Sequence, residues 1–270
     1  MYEGSPSFSL SGADDHRTYF VDQQCWYSVR YVTNDTVRMQ EYQRLRADFF
    51  VKQFGWNLPL DAEGRERDQH DAKNDGTVSI YGVYGACFTS PGEYLLAGLR
   101  IFHLRSWEDS MLMQEFHTAG MIPSSVLHTL KEQYEVTKVL ELSRMCVQRG
   151  RRYIPIQFAD HGFPGFDTAS ARDLVYACAY AIAEKEKRQM AVGIVHPLYL
   201  KAMQREQFTI KVLYSHQLHS RFQGYALVLV NLAQTIRSVR AAGAHAKAAR
   251  MLALCQDKHW IDHCIEESQW

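Results

Sequence analysis

Residues 46–71 read RADFFVKQFGWNLPLDAEGRERDQHD, and no other segment constrains the fold as tightly. Over 37–54, Tyr42, Leu45 and Phe49 recur at helical spacing, with Asn34, Asp35 or Thr36 available as N-cap and Gly55 suited to the stop. Arg46 and Phe50 stand four residues apart, one above the other on such a helix and beside its apolar stripe. An arginine in that position is buried or half-buried, and a buried cation without a carboxylate is very costly. Asp68, Asp71 and Glu141 are the suppliers the sequence offers, so the chain must bring distant segments onto one helix face.

With 270 residues and 46% hydrophobic content, the chain can bury a full core as one domain with extensions. Thirty Lys and Arg balance thirty Asp and Glu, so no overall basic field points to nucleic acid or to an anionic membrane. Six cysteines (25, 87, 146, 178, 255 and 264) form no C-x-x-C pair, and MYEGSPSFSLSGADD is not an apolar, basic-flanked leader. A reducing cytoplasm is the expected location. The longest apolar runs, LVYACAYAIA and YALVLVNLA, fall short of the roughly 20 residues of a membrane span.

Residues 1–24 read as a flexible extension, Ser-, Gly- and Asp-rich at the start, and the core begins at Cys25. TVSIYGVY (77–84) and EYLLAGLRIF (93–102) are predicted antiparallel strands joined by the turn-rich GACFTSPG, with KVLELSRMCV (138–147) a long third strand. Asp167 or Thr168 can cap a helix through ARDLVYACAYAIAEKEKRQ. MAVGIV, a short helix from Pro197, TIKVLY and YALVLV then complete an α/β (α+β) layer arrangement over 25–231, and 232–270 forms a C-terminal helical extension.

The order of Arg46, Phe50, Gly55-Trp56, Asp68 and Asp71, followed by Arg100 in GLRIF and Glu141 to Arg144 in LELSRMCV, resembles the signature of LuxI-type acyl-homoserine lactone synthases. The resemblance covers about residues 38–230 and implies a three-layer GNAT-like acyltransferase fold, a mostly antiparallel central sheet flanked by helices. It implies an acyl chain delivered by acyl carrier protein, an amide formed with the amine of S-adenosylmethionine, and lactonisation with release of methylthioadenosine, the synthesis of a quorum-sensing signal. S-adenosylmethionine would be a co-substrate, with no tightly bound cofactor and no metal. By the same resemblance Glu141, Ser143, Arg100 and Arg144 are the catalytic positions. Trp56 walls the nucleotide side, and Asp68 faces the cationic end of the co-substrate. Arg46, Asp71, Arg100, Glu141 and Arg144 form an ion-pair lattice, while Phe50 and Phe116, the latter in SMLMQEF, line the pocket. Two alternatives stand beside this reading: an N-acyl amino acid synthase of the same fold, and a non-catalytic module that binds an acyl group or its carrier.

Strand parity sets one condition. On a regular strand Glu141 and Ser143 share a face and Arg144 takes the other, so Glu141 and Arg144 meet in one pocket only through a bulge. Arg149, Arg151 and Arg152 in VQRGRRY follow that strand, where the acyltransferase fold would place a pantetheine phosphate or an acidic carrier protein. Cys255, His259 and His263 share one face of a C-terminal helix and could in principle hold zinc, although no fourth ligand is evident.

Overall fold

The computed structural model describes residues 19–241 apart from 23–24, 74, 88–89, 151, 161–164 and 218–223. An eight-stranded sheet organises these residues. Its first half is an antiparallel meander of β1 (Tyr19–Asp22), β2 (Cys25–Tyr31), β3 (Val78–Cys87), β4 (Ser90–Phe102) and β5 (Val139–Val147). Two strands, β6 (Arg152–Tyr153) and β7 (Phe166–Asp167), make a separate ribbon after β5. The second half of the main sheet contains β8 (Met190–Val195), β9 (Ile210–Gln217) and β10 (Gly224–Asn231), and the full order is β1-β2-β3-β4-β5-β8-β10-β9. The sheet is therefore mostly antiparallel with one parallel junction, as a GNAT-like fold requires.

Helices cover both faces. The helix α1 (Thr36–Arg46) packs on one face, and α2 (Ser124–Gln133) contributes Leu127 and Leu130 to the same apolar cluster. On the opposite face lies α3 (Thr168–Lys185), nearly continuous in small and apolar residues, joined by α4 (Pro197–Arg205) through Met203 and by α5 (Leu232–Ala241) through Ile236. The caps follow the sequence: Asp35 accepts from Arg38 N and Asp167 from Ala169 N, each satisfying a donor at a helix start. A side chain at Gly98 would place its Cβ 2.5 Å from the Tyr42 ring, so glycine there lets α1 lie close on β4.

Several boundaries differ from the sequence reading. Tyr19–Asp22, assigned to the flexible extension, forms β1, because its backbone completes the open edge of β2. The expected turn GACFTSPG is mostly strand, with β3 running to Cys87 and β4 starting at Ser90. α5, assigned to an appended extension, buries Ile236 and Val239, and Thr235 Oγ1 accepts from Thr209 N at 3.0 Å. The helix predicted over 37–54 is α-helical only to Arg46 and continues as a π-helical segment over Ala47–Gln53, which ends at Gly55 with φ +68°. Cys255, His259 and His263 lie outside the described residues. Cys25, Cys87, Cys146 and Cys178 are all buried. No described helix is long and apolar enough to cross a membrane.

A candidate active site at the parting of two strands

The parallel junction of β5 and β8 is short. The two strands pair only from Val139 to Glu141 against Met190 to Val192 and then separate. At the point of parting, a Cβ on Gly193 would stand 2.6 Å from Leu142 O, so only glycine lets the strands come that close before they diverge. The gap opens a cleft of about 880 Å³, counting its open mouth. It is lined on one side by Phe50, Trp56 and Phe116, and on the other by Tyr176, Tyr199 and Met203. Those two groups belong to the apolar clusters on opposite faces of the sheet, so the cleft passes through the sheet plane.

Phe50 and Phe116 sit on π-helical segments, Ala47–Gln53 and Leu112–His117, whose wider turn re-aims side chains relative to an α-helix. The Phe50 and Trp56 rings lie 5.2 Å apart, and the Arg144 guanidinium sits 6.0 Å above Phe50. Arg144 reaches this position by a bulge: Gly98 pairs with Cys146 and Arg100 with Ser143, leaving two β5 residues against one of β4, and Arg144 adopts φ +50°. Tyr42 Oη donates to the Arg144 carbonyl at 2.8 Å and pins the bulge from α1. A bulge is thus present, but it brings Arg144 beside Ser143 rather than Glu141: Ser143 and Arg144 both line the cleft, and Glu141 does not.

Behind the aromatic wall lies a lattice of three arginines and three carboxylates. Arg46, fully buried, holds Asp71 with both terminal nitrogens at 2.5 and 2.9 Å, pairs through Nε with Glu66, and donates to the Glu66 carbonyl at 2.6 Å. Arg100, also fully buried, donates to Asp68 at 2.6 Å and to Asp71 at 3.2 Å, and its Nε donates to Ser143 Oγ at 2.9 Å. Arg144 closes the network on Glu66 at 3.2 Å and on Asp68 at 3.4 Å. Charges balance, so every buried cation is neutralised without solvent. Burial alone would favour the protonated form of Asp68, but Arg100, then Arg46 and Arg144, outweigh it and hold the carboxyl well below the usual range. Asp68 Oδ1 is committed to Arg100 and His70 N, whereas Oδ2 has no hydrogen bond and meets the Arg144 guanidinium at 3.4 Å.

One expectation is corrected. Glu141 is not a lattice member: its carboxylate accepts from the Ser110 hydroxyl and from Leu112 N, so it fixes the start of the segment that carries Phe116. Burial, opposed by those hydrogen bonds, pushes its pKa up to about 7. The lattice place expected for Glu141 belongs to Glu66, which sequence reasoning missed. A count would have found it, since three buried arginines need three carboxylates and Glu66 stands two residues before Asp68 in the same loop. Arg149 and Arg152 are exposed beyond β5, and Arg151 lies outside the described residues. Arg149 borders a small polar cavity that shares Phe49 with the main cleft, and the Thr168 hydroxyl bonds the Gly150 carbonyl, so this segment meets the start of α3.

A second constellation has the connectivity of a nucleophile, base and acid. Ser79 Oγ is 2.6 Å from His103 Nε2, and His103 Nδ1 is 2.5 Å from Glu186. Ser79 is fully buried and closed to an incoming ester, so the triad ties β3 and β4 to the end of α3. No metal-binding group of three or more His, Cys, Asp or Glu occurs among the described residues.

The fold is similar to that of the acyl-homoserine lactone synthase LasI, with TM-score 0.51 and 18% identity over 78% of this chain and 91% of that one. It is likewise similar to BjaI, a CoA-dependent acyl-homoserine lactone synthase solved with S-adenosylmethionine and isopentyl-CoA, with TM-score 0.52 and 16% identity over 79% and 87% of the two chains. FeeM, an N-acyl amino acid synthase from uncultured soil microbes, gives TM-score 0.52 and 9% identity over 80% and 97%. At such identities the likeness establishes the fold. No protein-family model and no curated protein sequence matches the chain.

Proposed function

We propose that this chain is an N-acyltransferase that joins an acyl group from a carrier-bound thioester to the α-amine of S-adenosylmethionine and then closes the lactone. The observation that carries the reading is the meeting of a charge-neutral lattice with a through-sheet apolar cleft, at the aromatic wall of Phe50, Trp56 and Phe116. An acyl chain needs the apolar passage, and a zwitterionic, cationic co-substrate needs fixed charges beside an aromatic face.

In this reading Trp56 and Phe50 hold the nucleoside side, and the Asp68 carboxylate, whose Oδ2 is held only by the ion pair with Arg144, faces the cationic end of the co-substrate. Ser143 Oγ accepts from Arg100, so its own proton can be donated to the thioester carbonyl. The amine nitrogen attacks that carbonyl carbon, the C–S bond breaks, and the amine's proton leaves with the thiol. A free α-amine has a pKa of about 7.7 to 8.0, so positioning suffices and no strong base is needed. The methionine carboxylate oxygen then displaces the sulfonium, forming the lactone C–O bond and releasing methylthioadenosine. Arg149, Arg152 and Arg151 supply the basic docking edge for an acidic carrier protein or a pantetheine phosphate.

The test is direct. The purified protein, given S-adenosylmethionine and panels of acyl carrier protein and acyl-CoA thioesters, is expected to release methylthioadenosine and free thiol in equal amounts. Thiol release that requires a free amino acid and proceeds without S-adenosylmethionine would identify an N-acyl amino acid synthase, and no release from any donor would identify a binding module.

A further inference from the structure

The lattice sums to zero charge, with Arg46, Arg100 and Arg144 set against Glu66, Asp68 and Asp71. S-adenosylmethionine does not, because its sulfonium and ammonium outweigh its one carboxylate. A neutral lattice orients such a molecule but has no net charge to attract it, and a further carboxylate beside the lattice supplies one. Glu141 does not serve, being fully buried with its oxygens committed to Ser110 and to Leu112 N. Glu115 does. It lies in the segment Leu112–His117, immediately before Phe116 of the aromatic wall. Its side chain is 28% exposed, whereas those of Glu66, Asp68 and Asp71 are at most 12% exposed. Burial opposes its ionisation, but the hydrogen bond from His70 and then the Arg144 guanidinium prevail over burial and over the Asp68 charge, holding the carboxyl below its ordinary range.

His70 sets the orientation. It is fully buried, its Nε2 lies 2.9 Å from Glu115 Oε1, and its backbone N–H donates to Asp68 Oδ1 at 2.9 Å, so one residue ties Glu115 to the loop that carries Asp68. His70 Nδ1 is buried without a hydrogen-bond partner. An imidazolium would leave a charged N–H unpaired at that atom, so the pattern assigns a neutral ring with its proton on Nε2, donated to Glu115. Glu115 is therefore hydrogen-bonded without being neutralised, and the lattice and Glu115 together carry one net negative charge.

We propose that Glu115 is a binding residue for the sulfonium of the co-substrate, oriented by His70. The proposal rests on the acyltransferase reading and adds to it the residue that meets the co-substrate's excess charge. The sulfonium is joined to the nucleoside by a single methylene, so a nucleoside held against Trp56 and Phe50 brings the sulfur toward Phe116 and its neighbour Glu115. The attraction lasts only while the sulfur is charged. Once the lactone closes, methylthioadenosine is neutral and loses this contact, which favours its release.

The experiment measures the Kd of S-adenosylmethionine, of S-adenosylhomocysteine, which replaces the sulfonium by a neutral thioether, and of methylthioadenosine, by calorimetry on the wild type and Glu115→Gln. Glutamine keeps an oxygen for the His70 Nε2–H and removes only the charge. The wild type is expected to prefer S-adenosylmethionine to S-adenosylhomocysteine about tenfold, and less so at high salt, as one partly screened charge contact allows. Glu115→Gln should weaken S-adenosylmethionine about tenfold and leave the two neutral-sulfur ligands within about twofold, because only the sulfonium loses its partner. Equal weakening of all three ligands would make Glu115 a support for the aromatic wall, and unchanged affinities or a wild type that does not favour the sulfonium would remove it from the site; each result overturns this inference and leaves the acyltransferase reading standing. A wild type that binds none of the three overturns both.

Discussion

The two ends of the cleft are built on opposite principles. At one end, Arg46, Arg100 and Arg144 face Glu66, Asp68 and Asp71, and nearly every donor has a named acceptor. At the other, Tyr176, Tyr199 and Met203 enclose space by shape. A buried charge lattice tolerates few arrangements, because losing one partner strands another charge in a medium that cannot solvate it. An apolar wall tolerates many, because side chains of similar volume exchange at small cost. The difference places rigid positioning at the reacting end and leaves adaptation to the acyl end.

The sharpest way to break that comparison is Arg46→Lys. Lysine keeps the charge but cannot hold Asp71 through two nitrogens while also serving Glu66, so the loss should approach the roughly 3–5 kcal/mol of a buried ion pair deprived of one partner. Urea denaturation and acyl transfer would both fall, and a lysine variant of wild-type stability would show that the lattice is not rigid.

Next in size is Glu141, whose folded pKa of about 7 lies above its ordinary 4.5. Between those values the folded protein keeps a proton that the unfolded chain has released. Stability therefore falls as pH rises through the window and levels off above it, by about 3 kcal/mol at 1.36 kcal/mol per pH unit. Asp68 acts in the other direction: its carboxyl is held below the ordinary range, so its contribution is lost only on acidification below that range. Glu141→Gln should flatten the decline between pH 5 and 7 in denaturation curves measured across that window; a slope equal to wild type would show that the decline arises elsewhere.

The smallest effect is expected at the apolar end. Met203→Ala should cost about 2 kcal/mol, the low end for such truncations because the side chain already borders open space, and it should shift donor preference toward longer acyl chains. A larger loss than that of Arg46→Lys, or an unchanged chain-length profile, would reverse the ranking of the two ends.

Much of the architecture was legible in the chain itself. Strands β3, β4 and β5, the Asp167-capped α3, Arg46 as a buried cation and its pairing with Asp71 follow from apolar periodicity, from capping chemistry and from the cost of an unpaired charge. The resemblance carried by Trp56, Asp68, Arg100 and Arg144 agrees with the fold that this chain and the solved structures share. Other features depended on tertiary structure. The exchange of Glu141 for Glu66 in the lattice, the π-helical turn under Phe50, the bulge that swings Arg144 to Ser143, and the addition of β1 and α5 to the core all depend on which segments meet in space. Local sequence specifies what a side chain requires, a partner or burial. Which of several equally suitable carboxylates answers it is decided by backbone geometry that only the closed sheet provides.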